Sequence, residues 1–262
     1  MKTEPDWVPG KVKTKMKKLM FVATAALCAA VGFGDITSQN VVGYNTLNDG
    51  NSSVMLGCAF ADVTGTSQGV KLGALVGNFE AYDEIQIAYM QNGVIEFTQY
   101  QYLTEDDGVA ANGWYDGSWE SAADVVIPRG SAVWFVSSSG TSKDVTSAGE
   151  VPSTSMIHPA FAESSNMICS AYPVEFNPNA VSVAWSGLKS YDEIQVSYVN
   201  EGIIEFNQYQ WLTEDDGVDE AAWYDGNWEK VTVPIAAVGQ GFWLVLSNPD
   251  AVTMAETSPL AK

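Results

Sequence analysis

Two acidic loops hold the side chains whose types and spacing could bind a metal ion. The loops, residues 104–120 and 213–229, read TEDDGVAANGWYDGSWE and TEDDGVDEAAWYDGNWE. Oxygen ligands at this density suit Ca²⁺, which takes about six to eight oxygens in irregular geometry. The spacing differs from an EF-hand loop, and the alternative is a solvated acidic turn that bends at Gly108 or Gly217. The candidate calcium ligands are Glu105, Asp106, Asp107 and Asp116 in the first loop, and Glu214, Asp215, Asp216 and Asp225 in the second.

The same loops carry aromatic side chains that could stack on sugar rings. In such a site the flat ring faces meet the sugar, while nearby carboxylates and amides bind its hydroxyls. The candidate ligand-binding residues are Trp114, Tyr115, Trp119, Trp223, Tyr224 and Trp228. The alternative is that these rings fill or cover the core of a small β-domain, where a Trp N–H or Tyr O–H still reaches a partner. Trp134 and Trp243 lie in continuous apolar runs and are predicted core residues.

One short motif could indicate a hydrolase. GTSQG, residues 65–69, matches the G-x-S-x-G nucleophile elbow at Ser67, and the only histidine, His158, lies downstream. An elbow needs a strand, a sharp turn and a helix, whereas Ser67 lies in a connector rich in Gly, Thr and Ser. His158 lies beside Pro159 between two repeats of the chain and is predicted to be a surface residue. No catalytic residue is assigned, and the chain is predicted not to be an enzyme.

The charge of the chain excludes nucleic acid as a partner. The 262 residues carry a formal net charge of −20, and phosphate backbones are bound through Lys and Arg. Hydrophobic residues make up 46% of the sequence, which is enough to bury a core. We therefore expect a folded, strongly acidic protein.

The segment 1–34 is predicted to be a secretory signal peptide. A basic segment, KVKTKMKK, precedes LMFVATAALCAAV, which is uncharged and too short to span a bilayer. Met16 is an alternative initiator to Met1, so residues 1–15 could be an extension of the start site. We expect no membrane insertion after cleavage, and a secreted, periplasmic or cell-surface protein. The segment 1–34 holds six of the twelve basic residues and two of the 32 acidic ones, so the mature chain has a net charge of −24.

An internal duplication dominates the remaining chain. YDEIQIAYMQNGVIEFTQYQYLTEDDG, which starts at Tyr82, recurs as YDEIQVSYVNEGIIEFNQYQWLTEDDG from Tyr191. We call the number of residues from Tyr82 to Tyr191 the duplication offset. Two residues that are separated by this number occupy equivalent positions in the two copies. The predicted domains are residues 35–151 and 152–262. Cys58 and Cys169 are one position out of register in the two copies, so buried free thiols are expected instead of a disulfide.

The apolar pattern of each copy predicts β-strands. EIQIAYM alternates, and an Asn-Gly turn joins it to VIEFTQYQYL, which predicts a hairpin. VVIP and SAVWFVSS, on either side of Arg129 and Gly130, predict another. No stretch sustains a helical period. We predict an all-β protein of two tandem antiparallel β-sandwich or small-barrel domains behind the signal peptide.

Several short motifs carry a resemblance to a known group of proteins. The succession NVVGY, AYDEIQ, WYDG, GQGFWL and GEVP resembles a family of uncharacterised exported bacterial proteins with two tandem β-rich repeats behind a signal peptide. The resemblance implies the architecture and export, and it implies no activity or ligand.

Together these features predict an exported, non-enzymatic structural or interaction protein of the cell envelope or extracellular space, with a protein or glycan partner. The alternative is a glycan-binding module that uses the aromatic and acidic loops, assisted by calcium if the loops bind it. No other cofactor is expected.

Overall fold

The computed structural model describes residues 41–50, 53–61, 69–92, 94–158, 161, 164–247 and 252–261. The predicted signal peptide and Ser67 lie outside the described residues. The described part of the chain contains strands and three 3-10 turns, and no α-helix. The turns are Leu72–Ala74, Glu105–Asp107 and Glu214–Asp216. None of the described helices is long and apolar enough to cross a membrane.

The first repeat contributes ten strands in three antiparallel sheets. Strands β2, β9, β5, β6 and β7 form a five-stranded sheet in that order, β1, β10 and β4 form a second sheet, and β3 pairs with β8. The strands are β1 Val41–Asn48, β2 Ser53–Gly57, β3 Gly69–Lys71, β4 Val76–Gly77, β5 Glu84–Gln91, β6 Val94–Leu103, β7 Gly113–Tyr115, β8 Val126–Pro128, β9 Ala132–Val136 and β10 Asp144–Val151.

The second repeat has eight strands in two antiparallel sheets, which match the two larger sheets of the first repeat. Its five-stranded sheet has the order β12, β17, β14, β15, β16, and β11, β18 and β13 form the smaller sheet. A single bridge between Phe176 and Ala236 stands where the first repeat has the β3–β8 pair. The strands are β11 Met156–Ile157, β12 Ser165–Ile168, β13 Val183–Ser186, β14 Glu193–Asn200, β15 Ile203–Leu212, β16 Ala222–Tyr224, β17 Phe242–Val245 and β18 Thr253–Glu256. The predicted all-β protein with two similar groups of sheets is confirmed, and none of the described sheets closes into a barrel.

The structure confirms one predicted hairpin and corrects the other. Strands β5 and β6 pair as the predicted hairpin, and β14 and β15 pair in the same register. Strands β8 and β9 do not form the predicted hairpin, because they belong to different sheets. At the turn between them Gly130 has a φ of +82°, its N–H donates to Cys58, and Ser131 accepts from the Cys58 N–H. The chain after the turn therefore pairs with β2.

Each repeat has an apolar core, that of the first repeat is extended by Ala171 and Tyr172 of the second, and a further cluster joins the repeats. Met55 and Ala132 of the first repeat pack with Met167 and Trp243 of the second, and Trp134 lies against this cluster. Trp243 is buried and Trp134 is half-buried. The two tryptophans predicted as core residues thus lie at the contact between the repeats.

Backbone hydrogen bonds cross the same contact. The Gly57 N–H donates to the Gly239 carbonyl over 2.7 Å, and the Gly241 N–H donates to Met55 over 2.8 Å. The Cys169 N–H donates to Gly130 over 2.9 Å. Such bonds require the two backbones to approach closely, which explains why glycines occupy these positions.

Cys58 and Cys169 are both buried and free, as their one-residue offset predicts. Burial raises the pKa of the Cys58 thiol to about 11. The pKa of Cys169 is also raised, chiefly by burial, and the nearby Glu256 carboxylate adds to the rise. Both side chains therefore remain neutral thiols at physiological pH.

The prediction that His158 is a surface residue is wrong. Its side chain is buried, and its Nε2 lies 2.7 Å from Glu256 Oε1. The other oxygen of Glu256 accepts from the Ser170 hydroxyl over 2.7 Å, and Oε1 also accepts from the Ala171 N–H over 2.8 Å. These three donors satisfy a carboxylate that burial would otherwise make costly.

Candidate functional site

The first acidic loop folds as a capped 3-10 turn. Thr104 joins the end of β6 to the turn Glu105–Asp107, and Gly108 ends the turn with a φ of +91°. Asp107 Oδ2 accepts hydrogen bonds from both the backbone N–H and the hydroxyl of Thr104, each over 2.8 Å. The Asp107 carboxylate therefore holds the turn in shape.

The second acidic loop repeats this arrangement. Asp216 Oδ2 accepts from the N–H and the hydroxyl of Thr213 over 2.9 and 3.0 Å, and Gly217 ends the turn. Hydrogen bonds from Ser190 and Thr213 lower the pKa of Asp216. The backbone N–H of Thr104, with its hydroxyl, lowers the pKa of Asp107 in the same way.

A second turn in each loop uses an aspartate in the same manner. Asp116 Oδ1 accepts from the N–H groups of Ser118 and Glu120, each over 2.9 Å. Asp225 Oδ1 accepts from Asn227 and Glu229 at the same distances, each 2.9 Å. An Asx turn of this kind replaces part of a backbone ladder.

The eight candidate calcium ligands are therefore divided by role. Asp107, Asp116, Asp216 and Asp225 bind backbone N–H groups of their own turns, while Glu105, Asp106, Glu214 and Asp215 are exposed. Among the described residues, which include all eight, no group of three or more His, Cys, Asp or Glu side chains could hold a metal ion. The geometry gives calcium no direct support.

Calcium binding stays a prediction of the sequence, and thermal melting tests it. Because a ligand of the folded state stabilises that state, calcium binding requires a melting temperature that rises with Ca²⁺ concentration. Mg²⁺ at the same ionic strength is the control for charge screening. A melting temperature that responds equally to both ions would contradict a calcium site.

The candidate aromatic residues separate into buried and exposed sets. The side chains of Trp114 and Trp223 lie in the cores of their repeats, 2% and 0% exposed. Tyr115 is half-buried and Tyr224 is buried, and each phenol donates to a carbonyl of its own acidic loop over 2.8 Å. The hypothesis of an aromatic binding surface therefore depends on Trp119 and Trp228.

Trp119 and Trp228 are exposed in an unusual backbone conformation. They are 58% and 53% exposed, and their φ angles are +63° and +62°. Each follows the Asx turn at Asp116 or Asp225, and its N–H donates to that aspartate's carbonyl over 3.0 Å. The left-handed region disfavours side chains with a Cβ, so glycine is the residue expected there.

Sequence reasoning missed a second exposed pair, Tyr82 and Tyr191. Both are 54% exposed, and both have positive φ angles, +68° and +70°. The Asp107 carboxylate close to the phenol of Tyr82 raises the pKa of Tyr82. The sequence signal was present, because tyrosine occupies the same position before the first hairpin strand of both copies.

Comparisons with known proteins give no match for this chain: no protein-family model, no curated protein and no solved structure matches it. The functional assignment therefore depends on the geometry of the chain itself.

Proposed function

We propose that this chain is an exported, non-enzymatic interaction protein whose two repeats each present an exposed tryptophan to a partner. The basic and apolar leader and the resemblance to exported bacterial proteins support export. We infer that the partner lies in the cell envelope or outside the cell, and that each repeat is a β-sandwich-like unit.

The observation that carries the proposal is the strain at Trp119 and Trp228. A residue with a Cβ in the left-handed region costs about 1–2 kcal/mol relative to glycine, and exposing an indole to water adds to the cost. Both copies nevertheless hold tryptophan there, at nearly equal φ angles. Strain that is kept at an exposed position is typical of a binding site.

The surroundings of the two rings fit a neutral or polar partner. Glu120 follows Trp119 and Glu229 follows Trp228, and the chain as a whole repels anions. Indole faces beside carboxylates can pack on an apolar protein surface or stack on a sugar ring. The second of these is the glycan-binding alternative, which an array of immobilised glycans separates from a protein partner.

The test of the proposal uses the mature chain and a cell-envelope fraction of the bacterium that encodes it. We expect the wild-type chain to sediment with this fraction, and the double variant Trp119→Ala with Trp228→Ala to stay in the supernatant. Val233→Ala is a matched control, since Val233 is also an exposed apolar residue. Equal sedimentation of the double variant and the wild type would contradict the proposal.

The strain itself can be measured by comparing glycine and alanine at position 119. We expect Trp119→Gly to be about 1 kcal/mol more stable than Trp119→Ala, because alanine keeps the Cβ that the left-handed conformation disfavours. Urea unfolding followed by circular dichroism measures the difference. Equal stability of the two variants would show that the turn relaxes and that no strain is stored.

A further inference from the structure

A cleft in the first repeat is separate from the exposed tryptophan turns. It has a volume of about 320 Å³, and Phe79, Tyr102, Val76 and Ala123 line it. Trp114 and Gly73 also line it. The volume and the aromatic walls are in the range of small-ligand sites.

The backbone of Trp114 directs a donor and an acceptor away from strand β6. Tyr102 of β6 is the partner of Trp114 in the β6–β7 ladder. The Tyr102 N–H donates to the Asp83 carbonyl, and the Tyr102 carbonyl accepts from the Tyr82 N–H, so both groups point away from β7. In an antiparallel pair of this kind the facing residue points its N–H and C=O outward. The Trp114 carbonyl accepts from the Ala122 N–H over 2.8 Å, and no described residue accepts a hydrogen bond from the Trp114 N–H.

The second repeat shows what satisfies the equivalent N–H. Trp223 corresponds to Trp114, and its N–H donates to Asn179 Oδ1 over 3.0 Å. Asn179 Nδ2 donates in return to the carbonyls of Trp223 over 2.9 Å and Val231 over 3.0 Å. One side-chain carboxamide thus binds both backbone groups of Trp223.

The first repeat has a glycine where Asn179 stands. Asn179 lies three residues after Phe176, which bridges to Ala236, and Gly73 lies three residues after Val70, which pairs with Ile127. Ile127 and Ala236 are separated by the duplication offset, so they are equivalent positions. Gly73 has no side chain, so the carboxamide has no counterpart in the first repeat.

A similar replacement changes what covers the ring of Trp114, because the Phe79 ring lies 2.9 Å from the position of a Cβ on Gly77. Trp185 pairs with Met254 and packs on Trp223 at a centroid distance of 5.3 Å. Gly77, which pairs with Val145, takes the place of Trp185 in the first repeat. Phe79 covers part of the Trp114 ring from 5.0 Å, and phenylalanine is smaller than tryptophan.

We propose that this cleft binds a primary carboxamide, which occupies in the first repeat the place that the side chain of Asn179 occupies in the second. The N–H and C=O of one strand residue point the same way. A ligand amide can bind both of them only if its oxygen and one of its N–H groups lie on the same side of the C–N bond. A primary carboxamide has that arrangement, whereas a trans secondary amide has its N–H and C=O on opposite sides. The inference does not rest on the proposed function.

The direct test follows the Trp114 amide by NMR during titration of the mature chain. The probe is N-acetyl-asparagine N-methylamide, and we expect a saturable downfield shift with a Kd on the order of millimolar, as is usual for a ligand of this size. Free acetamide, the bare carboxamide, should shift the same resonance more weakly. A larger shift of the Trp114 amide with N-acetyl-glutamine N-methylamide would show that the carboxamide comes from a glutamine side chain.

Two ligand controls test the chemistry. N-acetyl-aspartate N-methylamide lacks the side-chain N–H, and N-methylacetamide has its N–H on the wrong side of the amide plane. Neither should shift the Trp114 amide saturably. A shift equal to that of the asparagine probe, or no saturable shift with any carboxamide, would overturn the proposal.

Two protein variants test the location. Val76→Trp should close the cleft and abolish the shift at moderate cost, because Val76 is largely exposed. Ala184→Trp is the matched control, since Ala184 is exposed and occupies the equivalent place on strand β13, and it should leave binding unchanged. Carboxamide binding that survives Val76→Trp would overturn the placement of the site in this cleft. Binding that survives Trp119→Ala with Trp228→Ala would show that the cleft and the exposed tryptophans are independent sites.

Discussion

Replacing Gly239 by alanine is expected to lower the free energy of unfolding by about 4 kcal/mol, because a Cβ at this position meets the other repeat. The φ of Gly239 is +72°, and its Cβ would lie 1.9 Å from Nδ2 and 2.5 Å from Cγ of Asn45. The change therefore combines backbone strain with overpacking of a buried contact between the repeats.

Asn45 cannot give way without loss. It is buried, and its Oδ1 accepts from the Ser147 hydroxyl over 2.9 Å. We therefore expect the Asn45→Ala and Gly239→Ala double variant to recover the steric part of the loss, which a double-mutant cycle measures.

The control for this prediction is Gly217→Ala. Gly217 has a φ of +89°, and no heavy atom lies within 4 Å of a Cβ built on it, so only the strain of about 1–2 kcal/mol applies. Urea unfolding followed by circular dichroism compares the two variants. A Gly239→Ala variant no less stable than Gly217→Ala would mean that the contact between the repeats is not tight.

The duplication places a second glycine in the equivalent position. Gly130 precedes Gly239 by the duplication offset, and its Cβ would lie 2.4 Å from the ring of His158. Each glycine thus stands against a side chain from the other half of the chain. The two repeats therefore pack against each other through equivalent close contacts at Gly130 and Gly239. A change that weakens this packing is expected to destabilise both repeats.

The hairpins of the fold could be predicted from sequence because their information is local. Alternation in β5 and β6 and the Asn-Gly turn between them determine pairing and register. The pairing of β8 with β3 could not be predicted in this way, because alternation does not tell which sheet a strand joins. The burial of His158 depends on Glu256, which is far away along the chain.

The candidate site was predictable to a similar extent. Composition singled out the acidic and aromatic loops, but it could not separate Trp114 from Trp119, since both flank the same turn. Which ring is buried depends on strand β7, whose alternation is too short to show in the sequence. The cleft beside Gly73 could be found only by superposing the hydrogen bonds of one repeat on those of the other.

Replacing Lys143 by methionine is expected to destabilise the protein by about 3 kcal/mol, because it leaves a buried carboxylate without its cation. Lys143 Nζ lies 2.6 and 2.7 Å from the two oxygens of Asp83, and both side chains are buried. Burial alone would raise the pKa of Asp83, but hydrogen bonds from Lys143, Ser138 and Glu80 outweigh it, so that the pKa is lowered.

The second repeat shows how the loss could be limited. Asp192, which corresponds to Asp83, accepts from the Ser247 N–H and hydroxyl, each over 2.8 Å, and from the Lys189 N–H over 2.7 Å. Val252 stands in the position that corresponds to Lys143. A network without lysine is therefore compatible with the fold, and Lys143→Met should fold at neutral pH.

The pH dependence identifies the cause of the loss. A lowered folded pKa contributes stability that is present above the unfolded value of about 3.9 and lost as pH falls through the folded value. In Lys143→Met the pKa of Asp83 should rise, so protonation relieves the uncompensated charge. We expect the difference in unfolding free energy between wild type and variant to shrink from pH 7 to pH 3.

A double-mutant cycle with Asp83→Asn separates charge from packing. If the loss in Lys143→Met comes from the unpaired carboxylate, adding Asp83→Asn should recover most of it, because the amide keeps the oxygen that Ser138 binds. Urea unfolding of the four proteins at pH 3, 5 and 7 gives the cycle. A deficit that does not change with pH and is not recovered by Asp83→Asn would assign the role of Lys143 to packing of its aliphatic chain.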